Sequence, residues 1–236
     1  MTRLREFMGG LAEGGPTPSG HRTPAVLASL PVLGLDEASM RASSWVVQQV
    51  LATGVHGVLL CHARSVEAVR VFVAASRYPF HPPKGLEEGF RGSGSQSYAA
   101  SILGIPERDY LRVAVPWPLN PEGELLLGIK IEDRHALENA EATTRVPGIA
   151  FAEWGPGDMG FSFGVLERPA EGYPEVTLRA RSRVLKATKE AGIFFLNSVT
   201  EDDVEAMIDE GVRIGAAANR EAAEKGRRHT SRRMPW

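Results

Sequence analysis

The sequence lacks the features that mark secreted, membrane-spanning and nucleic-acid-binding proteins. Its 236 residues include one cysteine, Cys61, so no intrachain disulfide can form and a cytoplasmic location is expected. No apolar run approaches the roughly 20 residues of a membrane-spanning helix, and the N-terminus lacks the apolar centre of a signal peptide. The net charge of −2 gives no general attraction for nucleic acid or anionic lipid. We therefore expect neither nucleic acid nor a membrane as a partner.

The sequence does contain short apolar runs that alternate with helical patterns, and hydrophobic residues make up 43% of it. Six strands are predicted, at 24–30, 56–61, 125–132, 149–154, 193–197 and 212–217. Such alternation is typical of one α/β domain with a parallel sheet, either doubly wound or a (β/α) barrel. Because a closed barrel has eight strands, six strands are two short of it.

The helical patterns complete this prediction. Helices are expected at 2–13, 36–53, 65–77, around 106–114, and at 133–145, 175–191 and 200–210, the last capped by Thr200. The connection from 79 to 123 shows no strand signal, and a connection of that length is usually functional. Residues 219–236 are predicted to form a C-terminal helix and a basic tail.

Two acidic residues lie where predicted strands end. Glu132 ends the third strand, and Asp158 closely follows the fourth. Strand ends of a parallel β/α sheet meet at one edge, where both carboxylates can reach one hard cation, Mg²⁺ or Mn²⁺ rather than zinc. The alternative is structural, because Glu132 would also suit the dipole of the next helix and Asp158 would also cap a short helix. The spacing alone leaves both interpretations open.

Three further features are candidates for substrate binding or catalysis. The turn Gly155-Pro156-Gly157 offers backbone N–H groups to a carboxylate or phosphate, although a plain tight turn has the same composition. His62 follows the second strand and is a candidate base, with a structural histidine as the alternative. Arg91 lies among glycine and serine residues, as in an anion-binding lid or a solvated loop.

Several of these motifs occur in an order that resembles a known family. They are Arg77-Tyr-Pro, Arg91-Gly92, Ile131-Glu132, Leu137-Glu138-Asn139, Val146-Pro-Gly-Ile149 and Gly155-Pro-Gly-Asp158. Together they resemble the HpcH/HpaI aldolases, the metal-dependent pyruvate aldolases, from roughly residue 5 to residue 220. Residues 129 to 164 carry the most specific part of the resemblance.

The resemblance implies a fold, a cofactor and a reaction. The fold would be a TIM-type (β/α)₈ barrel, and Glu132 and Asp158 would hold Mg²⁺ or Mn²⁺, with Co²⁺ as a further option. Pyruvate or its enolate would chelate that cation, and a 2-keto-4-hydroxy acid would be cleaved reversibly to pyruvate and an aldehyde. Backbone N–H groups near Gly155 to Gly157 would bind the substrate carboxylate. The implied assembly is a homo-oligomer, trimeric or hexameric.

The sequence also departs from the family pattern. The family's catalytic histidine follows the second barrel strand, and this sequence starts at about the next helix, so a barrel without its first two β/α units is expected. Ser29 stands near the place of the family's strand-end arginine, and Cys61 replaces a proline. Lys130 replaces the glutamine that precedes the metal-binding glutamate. It would either contact the substrate or pair with Glu132.

These features support two hypotheses of function. The first is a metal-dependent carbon–carbon lyase acting on a 2-keto acid, with His62, Arg91 and Lys130 as candidates for contacts to the substrate. The second is a divergent or incomplete barrel that serves as a binding or assembly module. A citrate-lyase-like or decarboxylating enzyme would keep the acidic pair and change the substrate.

Overall fold

Seven parallel strands form one sheet in a computed structural model that describes residues 1–17, 20–81, 85–167, 172–216 and 219–231. The strand order is β1-β2-β4-β5-β6-β7, and β3 pairs with β4. The bounds are β1 Leu27–Leu33, β2 Gly57–Cys61, β3 Pro116–Trp117, β4 Leu125–Lys130, β5 Phe151–Glu153, β6 Phe194–Ser198 and β7 Val212–Ala216. The expected α/β class with a parallel sheet is confirmed.

Helices connect these strands. They are α1 Thr2–Glu13, α2 Glu37–Leu51, α3 Val66–Ala75, α4 Ser97–Leu103, α5 Glu107–Val113, α6 Arg134–Glu138, α7 Ala140–Thr143, α8 Pro156–Ser162, α9 Glu175–Ala191, α10 Val204–Glu210 and α11 Arg220–Thr230. Local signals explain several boundaries: Asp36 caps α2 by accepting from Ser39 N at 2.8 Å, and Gly192 ends α9 in the left-handed region. Of the basic tail, residues 232–236 lie outside the described residues.

The two faces of the sheet differ in what covers them. The main hydrophobic core joins one face to the helices through residues such as Leu60, Phe72 and Val184. A smaller cluster on the other face is built around Leu59, Phe151 and Leu196, and its members come only from strands and the residues beside them. Helices on a single face are the arrangement of a β/α barrel wall rather than of a doubly wound sheet.

The sheet is open in the part of the chain that the structure describes. β1 pairs only with β2, and β7 pairs only with β6, so no pairing closes the sheet into a barrel there. In these same ranges, no helix combines the length and apolar character needed to cross a membrane.

The prediction of six strands without one between 79 and 123 was wrong, because β3 is present. β2 occupies one edge of β4 from Leu126 onward, and β5 pairs with the other edge only from Gly128. That leaves room for β3 beside Leu125 and Leu126. Two residues, one of them proline, are too few to give a periodic pattern.

Three helix predictions also need comment. Helix α4 was missed because its glycine- and serine-rich approach lacks a side-chain cap, and the single helix predicted at 133–145 is two helices. The break falls at Asn139, whose Nδ2 donates to the carbonyl oxygen of Arg64 at 2.8 Å. The prediction that Thr200 caps α10 was wrong, because α10 begins at Val204 with Asp203 at its N-cap position and no side-chain cap. Thr200 instead stabilises the turn before α10: its Oγ1 accepts from Asp203 N at 3.3 Å, and Asp203 Oδ1 accepts from Thr200 N at 2.7 Å.

Close packing across the sheet predicts that Gly128→Ala destabilises the protein. A Cβ on Gly128 would lie 2.2 Å from Phe151 Cζ and 2.7 Å from Leu59 Cδ1. We expect the free energy of unfolding in urea to fall by about 1–3 kcal/mol. The matched control is Gly10→Ala in α1, where a Cβ meets nothing within 4 Å, and it should raise stability by about 0.5–1 kcal/mol. Equal stability of the two variants would contradict this packing.

Candidate functional site

Charged side chains gather at the carboxyl edge, the edge of the sheet at which β2, β4 and β5 end. His62 follows β2, Lys130 is the last residue of β4 with Glu132 two residues on, and Glu153 ends β5. The register places Lys130 directly opposite Glu153. Asp158 enters from the first turn of α8, which follows β5. Neighbouring parallel strands thus deliver residues that are far apart in sequence to one place.

His62, Glu132 and Asp158 form a cluster of the size of a cation site. One donor atom from each lies within 4.8 Å of the other two. Oxygen ligands bind hard cations at about 2.0–2.6 Å, so two ligands of one ion are at most about 4–5 Å apart. Glu132 is 1% exposed, His62 is half-buried and Asp158 is exposed, so the cluster is open to solvent on one side. The two carboxylates expected from the sequence are brought together.

The helix-cap alternative for the two carboxylates does not describe these contacts. Asp133 is the residue that caps α6, because its Oδ1 accepts from the N–H groups of His135 and Ala136, each at 2.9 Å. Helix α8 has Gly155 at its N-cap position, and no side-chain cap is made there. Neither Glu132 nor Asp158 therefore caps a helix, although Asp158 lies in the first turn of α8, where its charge suits the helix dipole.

Glu132 is a buried carboxylate with different contacts on its two oxygens. Oε1 accepts a hydrogen bond from the backbone N–H of His62 at 3.1 Å. Oε2 lies 2.7 Å from Lys130 Nζ in an ion pair, yet this buried atom makes no hydrogen bond of acceptable geometry. Lys130 therefore pairs with Glu132, which was one of the two expected arrangements. An oxygen without a directional hydrogen bond fits a ligand of a divalent cation.

Gly155 allows Glu132 to occupy this position. Its backbone is left-handed with φ of +51°, and a Cβ would lie 2.3 Å from the Cβ of Glu132 and 2.7 Å from its Oε2. At Gly157 a Cβ would meet nothing within 4 Å. Pro156 has no N–H group, so the donors in the first turn of α8 come from Gly157 and Asp158.

His62 is held by a carboxylate that sequence reasoning did not identify. Its Nδ1 lies 2.7 Å from Asp133 Oδ2, which also accepts from Arg64 Nε at 3.0 Å. Burial alone would raise the pKa of Asp133, but the Ala136 N–H, His62 and Arg64 together hold it below its usual value. Because an ionised Asp133 only accepts, the proton is on Nδ1, and Nε2 faces Glu132 Oε1 at 3.7 Å.

The backbone of His62 contributes to this orientation. Its φ is +47°, in the left-handed region that is uncommon for a residue with a Cβ. Such conformations persist where surrounding contacts fix them, often at functional sites. The sequence carried one signal for this arrangement: Asp133 directly follows the expected metal-binding glutamate.

Glu153 is a second acidic residue that sequence reasoning missed. Burial raises its pKa, the charge of Lys130 opposes that effect, and the charges of Glu132 and Asp158 add to it. Burial alone would lower the pKa of Lys130, but its contact with Glu132 and the charges of Glu153 and Glu132 raise it above the usual value. Lys130 is therefore a cation among three carboxylates.

Cys61 behaves as the sequence predicts for a structural thiol. Burial raises its pKa to about 11, and the negative charge of Glu132 adds to the effect. At neutral pH the sulfur is protonated, which disfavours a nucleophilic role.

The structure does not bring Arg91 to the carboxyl edge. Its N–H donates to the carbonyl oxygen of Arg77, just after α3, and α3 runs from the carboxyl edge back to the opposite end of the strands. The guanidinium is 1% exposed, lies 4.4 Å from the centre of the Tyr78 ring and donates to the Tyr110 hydroxyl at 3.1 Å. These contacts are those of a packed structural arginine.

The parallel sheet, the helices on one face and the acidic cluster at the carboxyl edge define an α/β protein with a candidate metal site. The family model described as HpcH/HpaI aldolase/citrate lyase matches residues 32–220, and the chain belongs to this family.

Curated relatives and solved structures agree with this assignment. The hydroxypyruvate/pyruvate aldolase of Cupriavidus necator is 35% identical over 55% of this chain and 42% of its own length. For the 2-keto-3-deoxy-L-rhamnonate aldolase of Salmonella gallinarum the identity is 32%, over 71% of this chain and 56% of the relative. The chain spans about half the length of the curated relatives it matches. An HpcH/HpaI family protein from Burkholderia cenocepacia shares the fold, with a TM-score of 0.63 at 21% identity, over 87% of this chain and 71% of that one.

The contact between Gly155 and Glu132 predicts that Gly155→Ala weakens cation binding. The added methyl group would displace the Glu132 carboxylate, and displaced supporting contacts typically cost about 10–100-fold in metal affinity. Mn²⁺ titration followed by electron paramagnetic resonance measures the effect. Gly157→Ala is the matched control and should leave the affinity within about twofold, because its Cβ meets nothing within 4 Å. Equal affinities for the two variants would show that Gly155 does not position Glu132.

Proposed function

We propose that this chain is a divalent-metal-dependent aldolase that cleaves a 2-keto-4-hydroxy acid reversibly to pyruvate and an aldehyde. The observation that carries the proposal is the convergence of Glu132 and Asp158, with His62 beside them, at the carboxyl edge. Membership of the HpcH/HpaI family and relatives named as pyruvate aldolases support it. The expected 2-keto acid substrate is anionic and offers two oxygens to one cation.

In this proposal Glu132 and Asp158 hold the cation, with Mg²⁺ or Mn²⁺ as the expected ion and Co²⁺ as a further candidate. When bound, the cation supplies charge stabilisation for the keto oxygen of the substrate. The N–H groups of Gly157 and Asp158 are the candidate donors to the substrate carboxylate, and Gly155 and Pro156 shape the turn that presents them. Lys130 acts through Glu132 rather than by contacting the substrate.

His62 is the proposed proton-transfer residue. Its Nε2 takes the proton from the 4-hydroxyl group, and the negative charge of Asp133 stabilises the imidazolium that results. The C3–C4 bond then breaks: the 4-hydroxyl oxygen becomes the aldehyde carbonyl oxygen, and the bonding pair remains with the pyruvate part as its enolate. Return of the proton from His62 to C3 gives pyruvate and restores the neutral imidazole.

A homo-oligomer is part of the same proposal. Large apolar side chains supply surface for it, because Trp45, Phe161 and Leu166 are 61%, 65% and 81% exposed. Exposed aromatic and aliphatic groups of this size are typical of subunit contacts when they form a continuous patch.

Replacing either carboxylate should remove cation binding and the chemistry that depends on it. We expect Glu132→Gln and Asp158→Asn to weaken Mn²⁺ binding at least tenfold, because each loses a charged oxygen ligand. Both should abolish exchange of the methyl protons of pyruvate in deuterated buffer, followed by NMR. Glu138→Gln, at an exposed position of α6, is the control and should keep both properties.

Two outcomes would contradict the proposal. Retained Mn²⁺ affinity in Glu132→Gln and Asp158→Asn would show that these two carboxylates do not bind the metal. A wild-type chain that binds Mn²⁺ without exchanging pyruvate protons would instead support the binding or assembly module.

His62→Gln separates proton transfer from cation binding. We expect proton exchange to fall about 10²–10⁴-fold, because glutamine cannot take up a proton. The Mn²⁺ affinity should stay within about threefold, since the proposed ligands remain. A parallel loss of Mn²⁺ affinity would identify His62 as a ligand instead. Asp133→Asn, which keeps the size but not the charge of the partner, should give a smaller loss of exchange than His62→Gln.

A further inference from the structure

Lys130 pairs with Glu132, a carboxylate that is proposed to bind a metal. Its Nζ lies 2.7 Å from Glu132 Oε2, with the two side chains 18% and 1% exposed. A divalent cation on that same oxygen would lie next to the ammonium group, and the two positive charges would repel each other. Binding of the metal at Oε2 therefore favours the departure of Lys130 from Glu132.

The neighbouring strand provides a second carboxylate for Lys130. Glu153 is its register partner on β5, and paired residues of adjacent strands place their side chains on the same face. Among the described residues, no basic side chain pairs with Glu153 within 4.0 Å, although the charge of Lys130 acts on it. Four rotatable bonds allow a lysine ammonium to move between two such neighbours.

We propose that Lys130 is an exchangeable counter-ion: it pairs with Glu132 before the divalent cation binds and moves to Glu153 when the cation takes Glu132. The inference rests on the proposed metal site. It makes Lys130 and Glu153 positioning residues that set cation affinity, although neither is a ligand.

The balance of charge supports this exchange. By formal charge, the side chains of Glu132, Asp158 and Glu153 carry three negative charges, and that of Lys130 carries one positive charge. A divalent cation brings the total to zero. With Lys130 on Glu153, the cation and its two carboxylates are neutral as one group, and Lys130 and Glu153 are neutral as another. This separation leaves no charge in the partly buried site without a partner.

A double-mutant cycle on Mn²⁺ affinity, read by electron paramagnetic resonance, tests the exchange. Lys130→Gln should bind Mn²⁺ about tenfold more tightly, because no ion pair has to be broken. Lys130→Arg keeps the charge and should stay within about threefold of the wild type. Glu153→Gln should bind about three- to tenfold more weakly, because Lys130 then has no second partner. Glu153→Gln added to Lys130→Gln should change the affinity less than about twofold.

Each arm of the cycle has a result that overturns the proposal. Unchanged or weaker binding in Lys130→Gln would show that Lys130 does not compete with the cation. An equal effect of Glu153→Gln in both backgrounds would show that Glu153 acts only as a fixed charge. If Lys130→Gln does not fold, judged by circular dichroism, Lys130→Met replaces it. Failure of the metal site has a different signature, namely Mn²⁺ affinity that Glu132→Gln leaves unchanged.

Discussion

The site depends on one constraint, the burial of the Glu132 carboxylate at the end of β4. A charged group with 1% exposure is tolerated only where partners compensate for the lost water. The His62 N–H and the Lys130 ammonium provide that compensation, and the missing side chain of Gly155 leaves room for the carboxylate. The left-handed turns at His62 and Gly155 both bring backbone close to this carboxylate. Two left-handed turns thus lie against one buried carboxylate.

The sheet and the acidic pair were predictable because both follow from patterns local in sequence. Apolar runs indicated the positions of β1, β2, β4, β5, β6 and β7, and Glu132 ended one of them while Asp158 closely followed another. The long helix α9 was predicted with its observed bounds, because its apolar positions repeat with helical spacing and Gly192 ends it. Local sequence pattern was therefore sufficient to predict features that depend on a single helix or strand.

Features that depend on contacts between elements were not predictable in this way. The opposition of Lys130 and Glu153 requires the register of β4 against β5, which no single strand encodes. The contact between Asp133 and His62 was not predictable for a related reason, because the two residues are 71 apart in the chain. For Arg91, glycine and serine neighbours suggested an exposed loop, whereas packing against Tyr78 buries it. The composition of a segment does not determine its burial, because burial depends on the residues that pack against it.

The shortness of β5 links the site to local stability. Three residues, Phe151 to Glu153, pair with β4 on one side and with β6 on the other, and their register alone sets Glu153 against Lys130. The order of so short a strand depends on its pairing with the two strands beside it. Any ligand that binds only the closed arrangement stabilises that arrangement by mass action. Occupation of the carboxyl edge would therefore lower the population in which β5 is open, so that the affinity for a ligand and the protection of this strand from solvent are thermodynamically linked.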